Sequence, residues 1–204
     1  RRKLLYRAGV LADLFCGEQI AIWSVAAEQI DRAGYAVRLT TTGGGAVRIV
    51  EDADGVWIED DGSRRCAAEG AVRLPDFGGR RHAALLRALH HEVLINIVDG
   101  KPVPNLLAYP KPWRRDAAMM ALCLERTGNT ALIADWIRGL TDVFDRNNAG
   151  AEEADNIGQT LYLASLVGDA SHPAAQAALA AIPRFRTGKH IAGKTDFGDH
   201  PVYQ

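Results

Sequence analysis

Residues 3–33, KLLYRAGVLADLFCGEQIAIWSVAAEQIDRA, carry the largest single decision about the fold. Leu4, Leu5, Ala8, Leu11, Leu14 and Phe15, then Ile22, Val25, Ala26 and Ile30, recur near a three-to-four spacing, the period of one apolar face on a helix. Read this way the stretch is helical, in two pieces because Gly9 and Gly17 weaken a helix interior, and the chain is mainly α. From Tyr35 the pattern changes. Short runs at Tyr35 to Leu39, Ala46 to Val50, Val56 to Glu59 and Ala71 to Leu74 are divided by Gly43-Gly44-Gly45, Asp54-Gly55 and Asp61-Gly62. Those turn signals predict a small antiparallel β meander.

After Pro75-Asp76-Phe77-Gly78-Gly79 the helical period returns, with Leu85, Leu86, Leu89, Val93 and Ile97 on one face of a helix from about Arg81 to Val98. Asp99 to Pro112 is a proline-bearing extended connection, since residues before proline are held out of the helical region. Helices are expected at Trp113 to Thr127, Thr130 to Leu140, Glu152 to Val167 and His172 to Ile182, with Gly128-Asn129 and Gly168 as stops. Short loops between them predict antiparallel helix pairs. The expected organisation is residues 1–79 as a helix plus meander and residues 80–204 as helical hairpins.

Composition bounds the function classes. The 204 residues are 48% hydrophobic and 24% charged, values of a folded globular chain. Lys and Arg number 24 against 25 Asp and Glu, a net charge of −1 that supplies no field for a nucleic-acid backbone. Apolar runs are cut by Arg, Asp, Glu or Gly well short of a membrane span, so no membrane partner is expected. Cys16, Cys66 and Cys123 are odd in number and far apart, which fits neither a disulfide framework nor a thiolate zinc site, and predicts a reducing, cytoplasmic compartment. The chain opens on Arg1-Arg2-Lys3 and stops at Tyr203-Gln204, which reads as a portion of a longer protein whose remainder is itself a candidate partner.

Two segments carry chemistry. In Tyr109-Pro110-Lys111-Pro112-Trp113-Arg114-Arg115-Asp116, Asp116 suits a helix N-terminus, whereas Arg114 and Arg115 oppose the helix dipole and so need another partner. In Asp145 to Gln159, the helix that follows is apolar almost all round, yet Asp155, Gln159 and Tyr162 form one polar stripe along it. Such a stripe must be paired internally or face water.

Trp-x-Arg-Asp at a helix start, followed by the acidic start Glu153-Ala154-Asp155-Asn156-Ile157-Gly158-Gln159, resembles the glucoamylase-like six-hairpin glycosidases. The resemblance spans roughly residues 80–182 and implies an α/α toroid around a sugar-binding funnel. It implies Glu153 and Asp155 as the catalytic carboxylates. Substrate contacts would come from Trp113, Arg115 and Asp116, with Asn156, Gln159 and Tyr162 on the polar stripe. Carbohydrate is then the partner, hydrolysis of a glycosidic bond the reaction, and no cofactor or metal is called for. A non-catalytic helical module binding glycan or protein through the same cavity is the alternative.

Other signals are set aside. Asp145-x-Asn147 begins like a calcium loop, but Ala149 stands where an oxygen ligand is required and Asn156 where the bidentate Glu is required. His90-His91-Glu92 lacks the second histidine of a zincin helix, leaving His91 as a surface or internally satisfied histidine. Asp196, Asp199 and His200, in a polar C-terminal loop, are candidates to line the same funnel.

Overall fold

The computed structural model describes residues 3–31, 34–169, 171–188, 190–191, 193–195 and 198–200, and it overturns the helical reading of the opening stretch. Residues 4–31 form four strands, β1 (Leu4–Arg7), β2 (Val10–Asp13), β3 (Gln19–Ile22) and β4 (Val25–Asp31). The apolar residues that mimicked a helical period sit on two faces: Leu4, Tyr6, Leu11, Ile20 and Val25 pack on a common core, whereas Leu5, Ile22 and Ile30 stand more than half exposed. Gly9 and Gly17, with φ of 82° and 72°, occupy the left-handed region that a turn requires and a helix interior forbids. At Gly9 a Cβ would also lie 2.4 Å from the Trp23 carbonyl oxygen, where β3 leads into β4.

Strands β1, β2 and β3 make one antiparallel sheet. A second, five-stranded sheet runs in sequence order through β4, β5 (Ala36–Thr41), β6 (Ala46–Glu51), β7 (Gly55–Asp60) and β8 (Ser63–Glu69), every neighbouring pair antiparallel. The expected run at Ala71 to Leu74 is not a strand; the preceding Ser63–Glu69 closes the sheet instead. One face of the sheet, with Leu39, Val47, Ile49, Val56, Ile58 and Ala68, is buried together with Leu11. The alternation of these positions with Arg38, Thr40 and Arg48 is what a sheet covered on one side dictates.

The chain divides into two compact units, Arg1–His91 and Glu92–Gln204, the division falling inside α1 (Ala83–Ile95). In the second unit, β9 (Ile97–Val98) and β10 (Lys101–Pro102) form a hairpin. Then come α2 (Arg114–Thr127), a 3-10 turn at Thr130–Leu132, α3 (Ala134–Arg138), α4 (Asp155–Ser165) and α5 (Pro173–Phe185). Two minimal hairpins follow, β11 (Arg186–Thr187) with β12 (His190–Ile191) and β13 (Gly193–Thr195) with β14 (Gly198–His200). Ala117, Ala121 and Leu124 of α2 are fully buried with Ile133, Ile137, Leu163 and Ala174. Helix α5 packs back on α4 through Ile157, Ala178 and Ala181.

With 32% helix and 29% strand, the protein is mixed α/β rather than mainly α. Five α-helices among the described residues, beside a five-stranded sheet, do not make an α/α toroid, so that expectation is withdrawn. No described helix is long and apolar enough to cross a membrane. Asp196, and the side chains of Asp199 and His200, lie outside the described residues.

Candidate functional site

Helices α2 and α4 start at the same end. Arg115, in the first turn of α2, reaches Asp155, the first residue of α4, while Glu125 late in α2 takes a hydrogen bond from Tyr162 late in α4. The two helices therefore run parallel, and their N-terminal dipole ends sit side by side.

Helix α2 has no side-chain N-cap of its own. Trp113, at the N-cap position with extended backbone (φ −105°, ψ 137°), contributes no side-chain hydrogen bond. Asp145 supplies it from 31 residues away, its Oδ2 accepting from the Arg114 backbone N–H at 2.6 Å. The loop that brings Asp145 is tied down on both sides. Asn147 donates from Nδ2 to the Pro112 carbonyl at 2.8 Å, and the Asp145 N–H donates to Oδ1 of buried Asn156 at 3.2 Å.

The two arginines separate cleanly. Arg114 is buried at 6% exposure, donates from Nη2 to the Asp142 carbonyl at 2.8 Å and lies 5.8 Å from the Trp136 ring centre. Burial lowers its guanidinium from the ordinary value, against the pull of Asp145 and Asp142; it stays a cation and serves the fold. Arg115 is half exposed and cross-links the acids ahead of and within α4, from Nε to Asp155 Oδ2 at 2.7 Å and from Nη2 to Glu153 Oε1 at 3.4 Å. The Asp155 hydrogen bond is the main cause that raises its guanidinium above the ordinary value.

Around that ion pair the stripe on α4 is paired internally. Gln159 Nε2 donates to Asp155 Oδ2 at 2.8 Å, and Asn156 Nδ2 approaches Gln159 Oε1 at 3.3 Å and Asp155 Oδ1 at 3.4 Å. Asn148 Nδ2 reaches Glu153 Oε1 at 3.4 Å. Asp116 is the exception: partly exposed in the first turn of α2, it makes no side-chain hydrogen bond among the described residues. Trp113 is half-buried, with exposed Tyr109 edge-on to it at 6.2 Å.

The geometry thus gathers Arg115, Glu153, Asp155, Asn156 and Gln159 into one network, with Trp113 and Asp116 at the same helix end. Tyr162 stands apart, its hydroxyl 3.1 Å from Glu125 Oε2 and its pKa pushed up to about 12 by burial and then by that carboxylate. A further charge cluster lies just outside: Arg146 joins Asp142 and Glu152, and Arg184 also pairs with Glu152. Among the described residues no group of three or more His, Cys, Asp or Glu is placed to hold a metal.

In the first unit the structure adds a cluster whose partners the sequence did not reveal. His91 Nε2 lies 2.6 Å from Glu51 Oε2 and its Nδ1 lies 3.0 Å from the Arg87 carbonyl. The Tyr35 ring packs 5.3 Å from the His91 ring and carries the Arg87 guanidinium at 4.1 Å. Burial pulls the imidazole pKa down, but the Glu51 hydrogen bond and charge outweigh it, and the net shift is upward. Both ring nitrogens face acceptors, which leaves neither for a substrate; the cluster ties α1 to β6. Glu51 ends a strand 40 residues from His91, so no local spacing in the sequence signals the pair.

Comparison with models of protein families, with characterised proteins and with solved structures finds no match to the chain. The resemblance to six-hairpin glycosidases therefore rests on short motifs alone, and the mixed α/β architecture overturns it.

Proposed function

We propose that the chain binds carbohydrate at the shared N-terminal end of α2 and α4. The observation that carries the reading is Asp116: every other polar group of the network has a protein partner, and this carboxylate has none among the described residues. A sugar offers hydroxyl donors for such an acceptor, and its carbon faces stack on aromatic rings such as Tyr109, 57% exposed beside Trp113. The outward side of Arg115 supplies donors for ring or hydroxyl oxygens.

Glycosidic cleavage by Glu153 and Asp155 is the rival reading of the same residues. It needs one carboxyl to deliver a proton to the leaving oxygen. Arg115 aims donors at both carboxylates, and Gln159 aims another at Asp155, which supports holding a sugar over cleaving it.

Calorimetric titration of a panel of neutral and acidic oligosaccharides tests the proposal, with released reducing ends measured in the same samples. At least one oligosaccharide should bind, and Asp116→Asn should weaken it about tenfold, the worth of one charged hydrogen bond. Among the described residues Asp116 makes no side-chain hydrogen bond, so the variant should lose no more stability than the helix-dipole contribution of about 0.3–1 kcal/mol. Absence of binding across the panel, or an affinity indifferent to Asp116→Asn, would refute the reading; reducing ends released by the parent and not by Asp155→Asn would replace it with cleavage.

A further inference from the structure

The outer face of the five-stranded sheet carries a row of charges whose order is broken at one point. In register across β4 to β8 stand Gln29, Arg38, Arg48, Glu59 and Arg64. At one end Arg38 Nη1 lies 3.5 Å from Asp31 Oδ2. At the other, Arg48 Nη1 lies 3.1 Å from Glu59 Oε2, Arg64 Nε 3.6 Å from Glu59 Oε1 and Arg64 Nη2 2.7 Å from Asp52 Oδ2. The signs therefore read Asp31, Arg38, Arg48, Glu59, Arg64, Asp52: alternating, except where two arginines face each other between β5 and β6.

Like charges directly opposite one another on adjacent strands destabilise a sheet. Here they also border an open groove of about 550 Å³, lined by Gln29, Arg38, Thr40, Ala46, Arg48 and Glu59 among others. The neighbouring rung, Ala27, Thr40 and Ala46, is made of short side chains and forms the floor beside the longer rung. Glu28, which also borders the groove, is in register with buried Leu39 and Val47, hence directed to the other face, where the Tyr6 hydroxyl donates to it.

We infer that the groove between β5 and β6 is a binding site for an oxyanion group, a carboxylate or a phosphoryl, seated between Arg38 and Arg48. One anion there restores strict alternation along the row. The two guanidinium groups, about half exposed, offer planar forks suited to such a group, and Thr40 and Gln29 add neutral donors at its edges. The site lies wholly within the first unit and does not depend on the carbohydrate reading of the second.

The test follows the arginine Nε–Hε resonances of the whole chain during titration with inorganic phosphate and, separately, with acetate, at ionic strength fixed by chloride. Arg38 and Arg48 should shift saturably, and Arg38→Gln or Arg48→Gln should weaken the apparent affinity at least tenfold. Saturation by phosphate alone supports a phosphoryl ligand, saturation by acetate alone a carboxylate, and by both the general oxyanion site. A second reading of the same idea is thermal: phosphate or acetate should raise the melting temperature of the parent and leave that of each variant unchanged, whatever each variant's own ligand-free melting temperature. Shifts that grow linearly without saturating, or that persist unchanged in Arg38→Gln, would overturn the inference.

Discussion

Replacing Glu51 by Gln leaves the shape of the contact with His91 and removes its charge. The pair is shielded, with side-chain exposures of 17% for Glu51 and 26% for His91, and the 2.6 Å separation is that of a charge-assisted bond. Such a bond contributes about 1.5–3 kcal/mol net, so the unfolding equilibrium should shift by roughly 10- to 150-fold. Other groups around the imidazole are Arg87 and His90 from α1 and Tyr35 ahead of β5; the Arg87 guanidinium disfavours the cation, whereas Glu51 first, and then the Arg87 carbonyl, sustain it. The pH dependence has a definite sign. The folded-state pKa of His91 lies above its ordinary 6.5, so the stabilisation is complete below that value and is lost as pH rises through the folded pKa. Urea melts of the parent, Glu51→Gln, His91→Gln and the double variant should give a coupling energy near the full value at about pH 6 and a much smaller one at about pH 9. Coupling that is absent at pH 6, or equal at both pH values, would refute the reasoning.

Other outcomes are as definite. Leu124→Ala, at a fully buried position in the second unit, should cost about 2–5 kcal/mol by the cavity it leaves, read from denaturant melts. Asp145→Ala removes the distant cap of α2 and should cost about 0.5–2 kcal/mol, with faster amide exchange confined to the first turn of that helix. Ultraviolet titration of the tyrosines should show Tyr162 ionising near pH 12, and Glu125→Gln should bring that value down. Asn156→Ala, which strips the Asp145 N–H of its acceptor at a 1% exposed position, should cost about 1–3 kcal/mol.

What could be read from the sequence was what short spacing encodes. Tyr35 to Leu39, Ala46 to Val50 and Val56 to Glu59 are short runs rich in strand-forming residues and separated by glycine turns, and strands lie over most of each. Helix starts near Trp113 and Glu152 follow from prolines and a first-turn acid, and helices begin at Arg114 and Asp155. Residues 3–31 were misread because exposed Leu5, Ile22 and Ile30 filled the gaps of an alternating pattern and made it look periodic at three to four. That reading of β1 to β4 as helix tipped the chain toward a mainly helical architecture with a small meander, and the short Trp-x-Arg-Asp motif then reinforced it. At the candidate site the need of Arg115 for a carboxylate partner was legible from its conflict with the helix dipole. The role of Arg114 was not, since its partner is the backbone carbonyl of Asp142 and carbonyls leave no trace in side-chain patterns. Likewise the Asp145 cap and the Glu51 partner of His91 are contacts between residues far apart in the chain, visible only once it has folded.

The borrowed cap on α2 has a consequence for the order in which this protein acquires its structure. Trp113 supplies no side-chain cap, so the first turn of that helix gains its cap, worth about 0.5–2 kcal/mol, only once a further 31 residues deliver Asp145. Until then the turn frays, with Arg114 and Arg115 in water. The arrival of the loop closes the helix end and settles Arg114, while Arg115 waits for Glu153 and Asp155 a few residues further on. The proposed sugar site shares that history. It comes into being only when the later half of the second unit docks on the earlier, and any agent that delays this docking delays the appearance of the site as well.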